Sequence, residues 1–147
     1  MRKVKVFLGG TCASSTWRSE LIPMLDQERV EFFNPQLPPG AWNEEAQAIE
    51  DFHRETDDIR VYVITPEAEL EIGYSHVEVV DDSNKRPDRT VLLVIPEANG
   101  KTFSKHGLKV TLKTAKLVAE NGATVVESLE DLAEFLNTYK PKVKTIE

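Results

Sequence analysis

The 147-residue sequence predicts an α/β domain: a doubly wound, five-stranded parallel sheet with helices on both faces. Two observations carry this. Five apolar segments of strand length alternate with amphipathic segments of helix length, and the strand segments are apolar on both sides of the chain, as parallel strands covered by helices must be. Right-handed crossovers then favour a flavodoxin- or Rossmann-like strand order, 2-1-3-4-5.

The first strand is expected over Lys3 to Leu8, ended by Gly9-Gly10-Thr11. Ser14-Ser15-Thr16 offers caps for a helix from Trp17 to about Asp26, which Pro23 should kink or shorten. Val30 to Phe33 reads as a second strand, and the proline-rich Asn34 to Gly40 as a rigid loop. Asn43 caps a helix to about Thr56, with Ala46, Ile49 and Phe52 on its apolar face. The third strand is Ile59 to Thr65, and the helix after it ends near Asp82. Asn84 to Asp88 is a turn, Thr90 to Ile95 a strand stopped by Pro96, and Asn99 to about Gly107 a polar loop. Leu108 to Glu120 is amphipathic, with Leu112, Ala115, Leu117 and Val118 apolar, and Asn121-Gly122 stops it. Ala123 to Val126 is the fifth strand, and Ser128 caps a last helix that turns Leu132, Phe135 and Leu136 inward. Lys140 to Glu147 reads as a loose tail of one domain spanning residues 1–147.

Composition narrows the function classes. A net charge of -7 argues against a nucleic-acid polymer as partner. The apolar runs are too short to span a membrane, and no signal-peptide pattern follows Met1. One cysteine and three histidines share no metal-ligand spacing, so neither metal nor cofactor is expected. A lone cysteine fits a reducing, cytoplasmic setting.

In the predicted order, ligands bind where strands 1 and 3 diverge, beyond their C-terminal ends. Gly9 to Trp17, Asn34 to Trp42 and Thr65 to Glu78 are the segments that reach that point, with Pro96 to Lys101 as a further candidate. Ser75-His76-Val77-Glu78 admits two readings. One is a capping box, Ser75 capping the helix while Glu78 reaches back to it. The other is a crevice carboxylate able to trap an oxocarbenium-like sugar carbon. Asp81-Asp82 reads as a solvated helix end, and His53 and His76 as surface or half-buried. Trp17, Trp42 and Tyr74 read as core or rim.

Lys5 to Thr11, Phe33-Asn34-Pro35, Trp42, Tyr62 to Pro66 and Tyr74 to Pro87 together resemble the nucleoside 2-deoxyribosyltransferase family, in particular its transferase-like branch. The resemblance runs from Lys3 to about Ile95. It implies cleavage of the N-glycosidic bond of a 2'-deoxynucleoside or its 5'-monophosphate through a glutamate nucleophile. The deoxyribosyl group then passes to another nucleobase or to water. The family's nucleophile lies at the start of the helix after the third strand. Glu78 is assigned to that slot by its distance from Asp58 and Pro96, with Glu71 of Glu71-Ile72-Gly73-Tyr74 as the alternate. Glu50 or Asp51 falls near the helix-2 acid that positions sugar or base. Candidate substrate contacts are Gly9, Gly10, Thr11, Ser14, Ser15, Asn34, Trp42, Thr65, Tyr74 and Ser75. The glycine- and hydroxyl-rich loop would hold the sugar's 5' end, with Arg18 adding charge for a phosphate. Members of the family are oligomers, so a homo-oligomer is expected. Two departures stand out: Phe7 replaces a strand-1 tyrosine, and Val79-Val80-Asp81 replaces a Gly-Tyr-Ala.

Other readings compete. Cys12, five residues and Arg18-Ser19 resemble the low-molecular-weight tyrosine phosphatase signature, although the sequence has no Asp-Pro to supply the general acid. A flavodoxin-like flavin site lacks the usual loop spacing, and a phosphorelay receiver lacks an aspartate where strand 3 ends at Thr65. A non-catalytic nucleotide-binding or sensor domain is the alternative from a different class.

Overall fold

The computed structural model describes residues 2–12, 15–38, 40–68, 70 and 72–141. Its main sheet holds β1 (Val4–Gly10), β2 (Val30–Phe33), β3 (Ile59–Ile64), β4 (Thr90–Val94) and a last strand, β7 (Thr124–Val126), all parallel and ordered β2-β1-β3-β4-β7. This is the doubly wound order read from the sequence. Along β3, Val61 and Val63 join Val6, Leu8, Val91 and Leu93 on one face, packed against Trp17, Leu21, Leu132 and Leu136. Tyr62 and Ile64 join Phe7 and Leu92 on the other, packed against Val79 and Val118. Alternate residues of each central strand thus feed two separate cores, which is why the strand segments read as unbroken apolar runs.

The helices are α1 (Trp17–Leu21), α2 (Glu44–Thr56), α3 (Tyr74–Lys85), α4 (Lys105–Glu120) and α5 (Leu129–Thr138). Pro23 shortens α1 as expected: the chain tightens into a 3-10 turn over Ile22–Met24. Asn43, Ser104 and Ser128 cap α2, α4 and α5 by accepting from Ala46, Gly107 and Asp131 N–H groups. Ser104 starts α4 at Lys105, three residues before the expected Leu108, because its hydroxyl supplies the cap the apolar pattern did not reveal. Phe135 is only half-buried on α5, and Leu112 and Leu117 of α4 are exposed.

Residues 97–102 form a hairpin rather than a polar loop. β5 (Glu97–Ala98) and β6 (Lys101–Thr102) pair antiparallel around Asn99-Gly100, whose φ values of 51° and 79° are the left-handed pair that a two-residue hairpin turn requires. The apolar face read for α2 is not packed into the core. No residue of α2 is buried, and Ile49 and Phe52 are exposed. Polar anchors hold this helix instead. Arg60, a fully buried arginine on β3, donates to the carbonyls of Arg54, Glu55 and Asp57 at the C-terminal end of α2. His53 stacks on Phe33 with centroids 4.0 Å apart and pairs with Asp57 at 3.1 Å. Among the described residues, no helix is long and apolar enough to cross a membrane.

Candidate active site

A crevice of about 330 Å³ opens at the C-terminal ends of β1 and β3. Gly9, Gly10, Thr11 and Cys12 line it from β1 and its loop, Pro35 from the loop after β2, Glu50 from α2, and Gly73 to His76 with Glu78 from α3. It occupies the switch point, where the connections from β1 and β3 leave on opposite faces of the sheet.

The glycines let β1 pass close to β3. A Cβ on Gly10, which has φ +113°, would lie 2.3 Å from the Val63 carbonyl oxygen. Beyond them the loop folds around two groups. The Thr11 hydroxyl accepts from the Thr65 N–H at 2.9 Å, joining the ends of β1 and β3. The Thr11 carbonyl accepts from Ser15 Oγ, Trp17 Nε1 and Arg18 Nη1, at 2.7, 2.9 and 2.8 Å. Arg18 also donates from Nε to the Leu8 carbonyl at 3.0 Å, and its guanidinium lies 4.3 Å from the Trp17 ring centroid. Its buried guanidinium therefore clamps the loop and is not presented to the crevice as a phosphate ligand. The same geometry disfavours the phosphatase reading. Arg18 spends its donors on the Leu8 and Thr11 carbonyls and reaches Cys12 Sγ at 3.7 Å, so its fork is not free to cradle a phosphate.

Glu78 is not a helix-cap residue. α3 begins at Tyr74 with Gly73 as its N-cap and no side-chain cap, so Ser75 and Glu78 do not form the capping box. The Glu78 side chain is 15 % exposed and its Oε2 lies 3.6 Å from Arg54 Nε. Burial raises the carboxyl to about 7; Arg54 opposes this, while Glu50, Asp82 and Asp51 add to it. Glu50, half-buried on the facing wall, is also raised, first by burial and then by Asp51, against the pull of Arg18 and Arg54.

Beneath Glu78 lies a network that the sequence did not announce. Arg54 Nε donates to Tyr62 Oη and to Asp82 Oδ2, each at 3.2 Å, and Nη2 donates to Asp81 Oδ2 at 2.8 Å. The Tyr62 hydroxyl donates to Asp82, whose other oxygen accepts from Arg86 at 2.9 Å. Asp82 is fully buried, and α3 runs on to Lys85, which corrects the solvated helix end expected at Asp81-Asp82. Burial and the neighbouring Asp82 hold the Tyr62 hydroxyl protonated far above the usual range. Glu50 and Arg54 share one face of α2 and Glu78 and Asp82 one face of α3, so two i,i+4 spacings were the available signal.

The remaining candidates divide. Tyr74 sits on the crevice rim, 72 % exposed, and Ser75 lines the wall. His76 is buried rather than surface-bound and lines the crevice, with Nε2 3.1 Å from Thr111 Oγ1. Burial lowers its pKa and keeps the imidazole neutral. Asp51 is exposed and accepts from Gln47; Trp42 is exposed and donates to Gln47. Asn34 closes a local turn by accepting from the Gln36 N–H. Thr65 and Ser15 are buried in the loop framework. Ser14 and Glu71 lie outside the described residues. The hairpin touches the site indirectly: Asn99 Nδ2 donates to Glu67 Oε2 at 2.7 Å, and Thr65 Oγ1 donates to Glu67 Oε1 at 3.2 Å. No group of His, Cys, Asp and Glu among the described residues could hold a metal ion.

The fold and crevice define a doubly wound α/β protein with two facing carboxylates at its ligand-binding switch point. The family described as "nucleoside 2-deoxyribosyltransferase like" matches residues 3–81, which include β1 to β3, both carboxylates and most of the crevice wall. The chain belongs to that family. No curated protein and no solved structure matches it.

Proposed function

We propose that the crevice cleaves the N-glycosidic bond of a 2'-deoxynucleoside and transfers the deoxyribosyl group to another nucleobase or to water. The observation that carries this is a half-buried, uncapped Glu78 facing Glu50 in the crevice. In this reading the ionised Glu78 attacks the anomeric carbon as the C–N bond breaks, and the leaving base takes a proton from solvent. A glycosyl ester on the glutamate results. The incoming base or water then attacks the same carbon, gives its proton to solvent and releases the carboxylate. Glu50 faces the positive charge that develops on the sugar and orients its hydroxyls. Cycling between ester and carboxylate suits a carboxyl near 7, which is substantially ionised at neutral pH while paired with Arg54 at 3.6 Å.

The charge of the crevice favours the free nucleoside over its 5'-monophosphate. Its described lining carries Glu50 and Glu78 and no lysine or arginine, and Arg18 is turned inward. A phosphate would meet two carboxylates without a facing cation. The exposed apolar residues around the rim and on α2 (Trp42, Ile49, Phe52, Leu70, Tyr74 and Val77) support a homo-oligomer in which a second copy covers this face.

A second reading places the nucleophile at Glu71. It is supported by the start of α3 at Tyr74, which leaves Glu78 a turn inside the helix, whereas position 71 comes just before the helix start, where the family's nucleophile is expected.

Incubation with deoxynucleosides and with their monophosphates, with and without an acceptor base, tests all of this by chromatography of the released base. Peptide mass mapping of a trapped glycosyl-protein adduct identifies the nucleophile. An adduct on Glu78, and base release abolished in Glu78→Ala, support the first reading; an adduct on Glu71 moves the role there. No base release from any deoxynucleoside, with ligand binding intact, supports a non-catalytic binding domain. Light scattering of the purified chain reads the oligomeric state.

A further inference from the structure

We infer that the pocket at the N-terminal ends of β1, β3 and β4 is a binding site for a phosphate-class oxyanion, held by Arg86, Arg89 and Lys85. It lies at the opposite end of the sheet from the crevice, and it does not depend on the reaction proposed there. Arg2 and Asp58 line it just before β1 and β3. Lys85, Arg86, Asp88 and Arg89 line it from the last residue of α3 to the start of β4, and Tyr139 closes it just after α5. Its volume of about 310 Å³ is at the lower end of the small-ligand range, enough for a phosphate and a short organic group. In a chain of net charge -7, this lining holds four cations against two carboxylates, the reverse of the crevice.

The cations of this pocket are less committed than its carboxylates. Asp58 is spent on Arg2, whose Nη1 and Nη2 it accepts at 2.6 and 2.9 Å, and on the Lys5 N–H at 2.9 Å. Asp88, exposed on the rim, is the carboxylate that opposes an anion. Arg86 grips the buried Asp82 at 2.9 Å, but its other partner is Glu55, a 72 % exposed side chain at 3.4 Å. A bound anion can displace so loosely held a carboxylate. Lys85 reaches only the surface acid Asp81, at 3.1 Å, and is itself 62 % exposed. Half-buried Arg89 makes no ion pair and no side-chain hydrogen bond among the described residues. Behind them stands Arg60, fully buried, with Nη1 lacking a partner among the described residues. Burial, then repulsion from Arg86 and Arg89, presses its pKa down to about 10. An oxyanion on Arg86 and Arg89 relieves that repulsion, and the planar guanidinium fork matches phosphate oxygens in pairs.

The test is a titration with inorganic phosphate near neutral pH, at ionic strength held constant with chloride, followed in ¹H–¹⁵N correlation spectra. The amides of Arg89, Thr90 and Tyr139 are expected to shift together and saturate, while those of Gly9, Thr11 and Ser75 in the crevice stay in place. Arg89→Gln gives up no bond of the fold and should weaken phosphate binding by about tenfold or more. Shifts that grow without saturating, shifts confined to the crevice, or an affinity unchanged in Arg89→Gln each overturn the inference. Should Arg89→Gln not fold by circular dichroism, Lys85→Glu decides by the same readout. It is expected to weaken phosphate by roughly fivefold, and an affinity equal to wild type overturns the inference. Phenyl phosphate then separates the two sources of the group. Equal or weaker binding than phosphate assigns the site to the free anion; tighter binding assigns it to a phosphomonoester whose body lies on Tyr139.

Discussion

Replacing Glu78 by glutamine is expected to stabilise the protein at alkaline pH and to leave it nearly unchanged in acid. The carboxyl has an ordinary value of 4.5 and titrates at about 7 in the folded chain, chiefly because burial disfavours its charge. A group whose folded pKa lies above its unfolded one binds its proton more tightly when folded. Stability therefore falls as pH rises from about 4.5 to about 7, and the penalty is complete above that. At about 1.4 kcal/mol per pH unit, a rise from 4.5 to about 7 means that the ionised carboxylate costs the fold roughly 3–4 kcal/mol. The folded value already includes the attraction to Arg54, and glutamine mimics the protonated acid, so a gain of roughly 3 kcal/mol is expected near pH 8. Urea unfolding followed by circular dichroism, at about pH 5 and about pH 8, reads the difference from the midpoints at fixed slope. A variant less stable than wild type at both pH values would refute the reasoning, because it would make Glu78 a structural anchor. Stability gained while base release is lost would mark a carboxylate that the fold tolerates for its chemistry.

Three further outcomes follow from the framework around it. Gly10→Ala is expected to cost roughly 2–4 kcal/mol, since the new Cβ meets the Val63 carbonyl at 2.3 Å from a left-handed φ of +113°; thermal unfolding within a degree of wild type would contradict this. Asp82→Asn leaves Arg54 and Arg86 short of their shared, fully buried acceptor, and a loss of roughly 3–5 kcal/mol in denaturant unfolding is expected. Asp58 is held below its ordinary 3.8 because Arg2 and the Lys5 N–H, both bonded to it, outweigh the effect of burial. Its contribution is full above that value and fades as pH falls through the depressed folded one. Asp58→Asn should thus be less stable than wild type near neutrality, by about 1 kcal/mol or less for so exposed an arginine, and should match it in strong acid.

The sheet was legible because its signal is local. Val61, Val63, Val91 and Leu93 need only be apolar to find a covered face, and parallel order follows from the alternation with helices. The crevice was legible through Gly9, Gly10 and Thr11, whose backbone demands are written into residue type. Where sequence reasoning failed, a long-range polar partner decided the outcome. The capping box at Ser75 and Glu78 matched a four-residue pattern, but the chain enters α3 two residues earlier through Gly73 and turns Glu78 to Arg54, 24 positions away. Asp82 looked solvated because its partners Tyr62 and Arg54 lie on other elements. The hairpin at Asn99-Gly100 was a different omission, since that dipeptide is a strong turn signal and only its two-residue strands kept it hidden.

The failures share a cause that bears on the site itself. α2 carries one wall of the crevice and yet buries none of its own residues. Its apolar residues Ile49 and Phe52 face outward, and its position is set by Arg60 on its C-terminal carbonyls, by the His53–Phe33 stack and by Arg54 on the acids of α3. Apolar packing would fix this wall at every pH, whereas ion pairs fix it only while the acids are ionised. Protonation of Glu78 therefore slackens one of the bonds that hold Glu50 opposite it and, in the proposed reaction, removes the nucleophile. Glu50, raised by burial and by Asp51, takes up a second proton as the pH falls, so base release, where it is found, should be lost in acid more steeply than one titrating group alone would give.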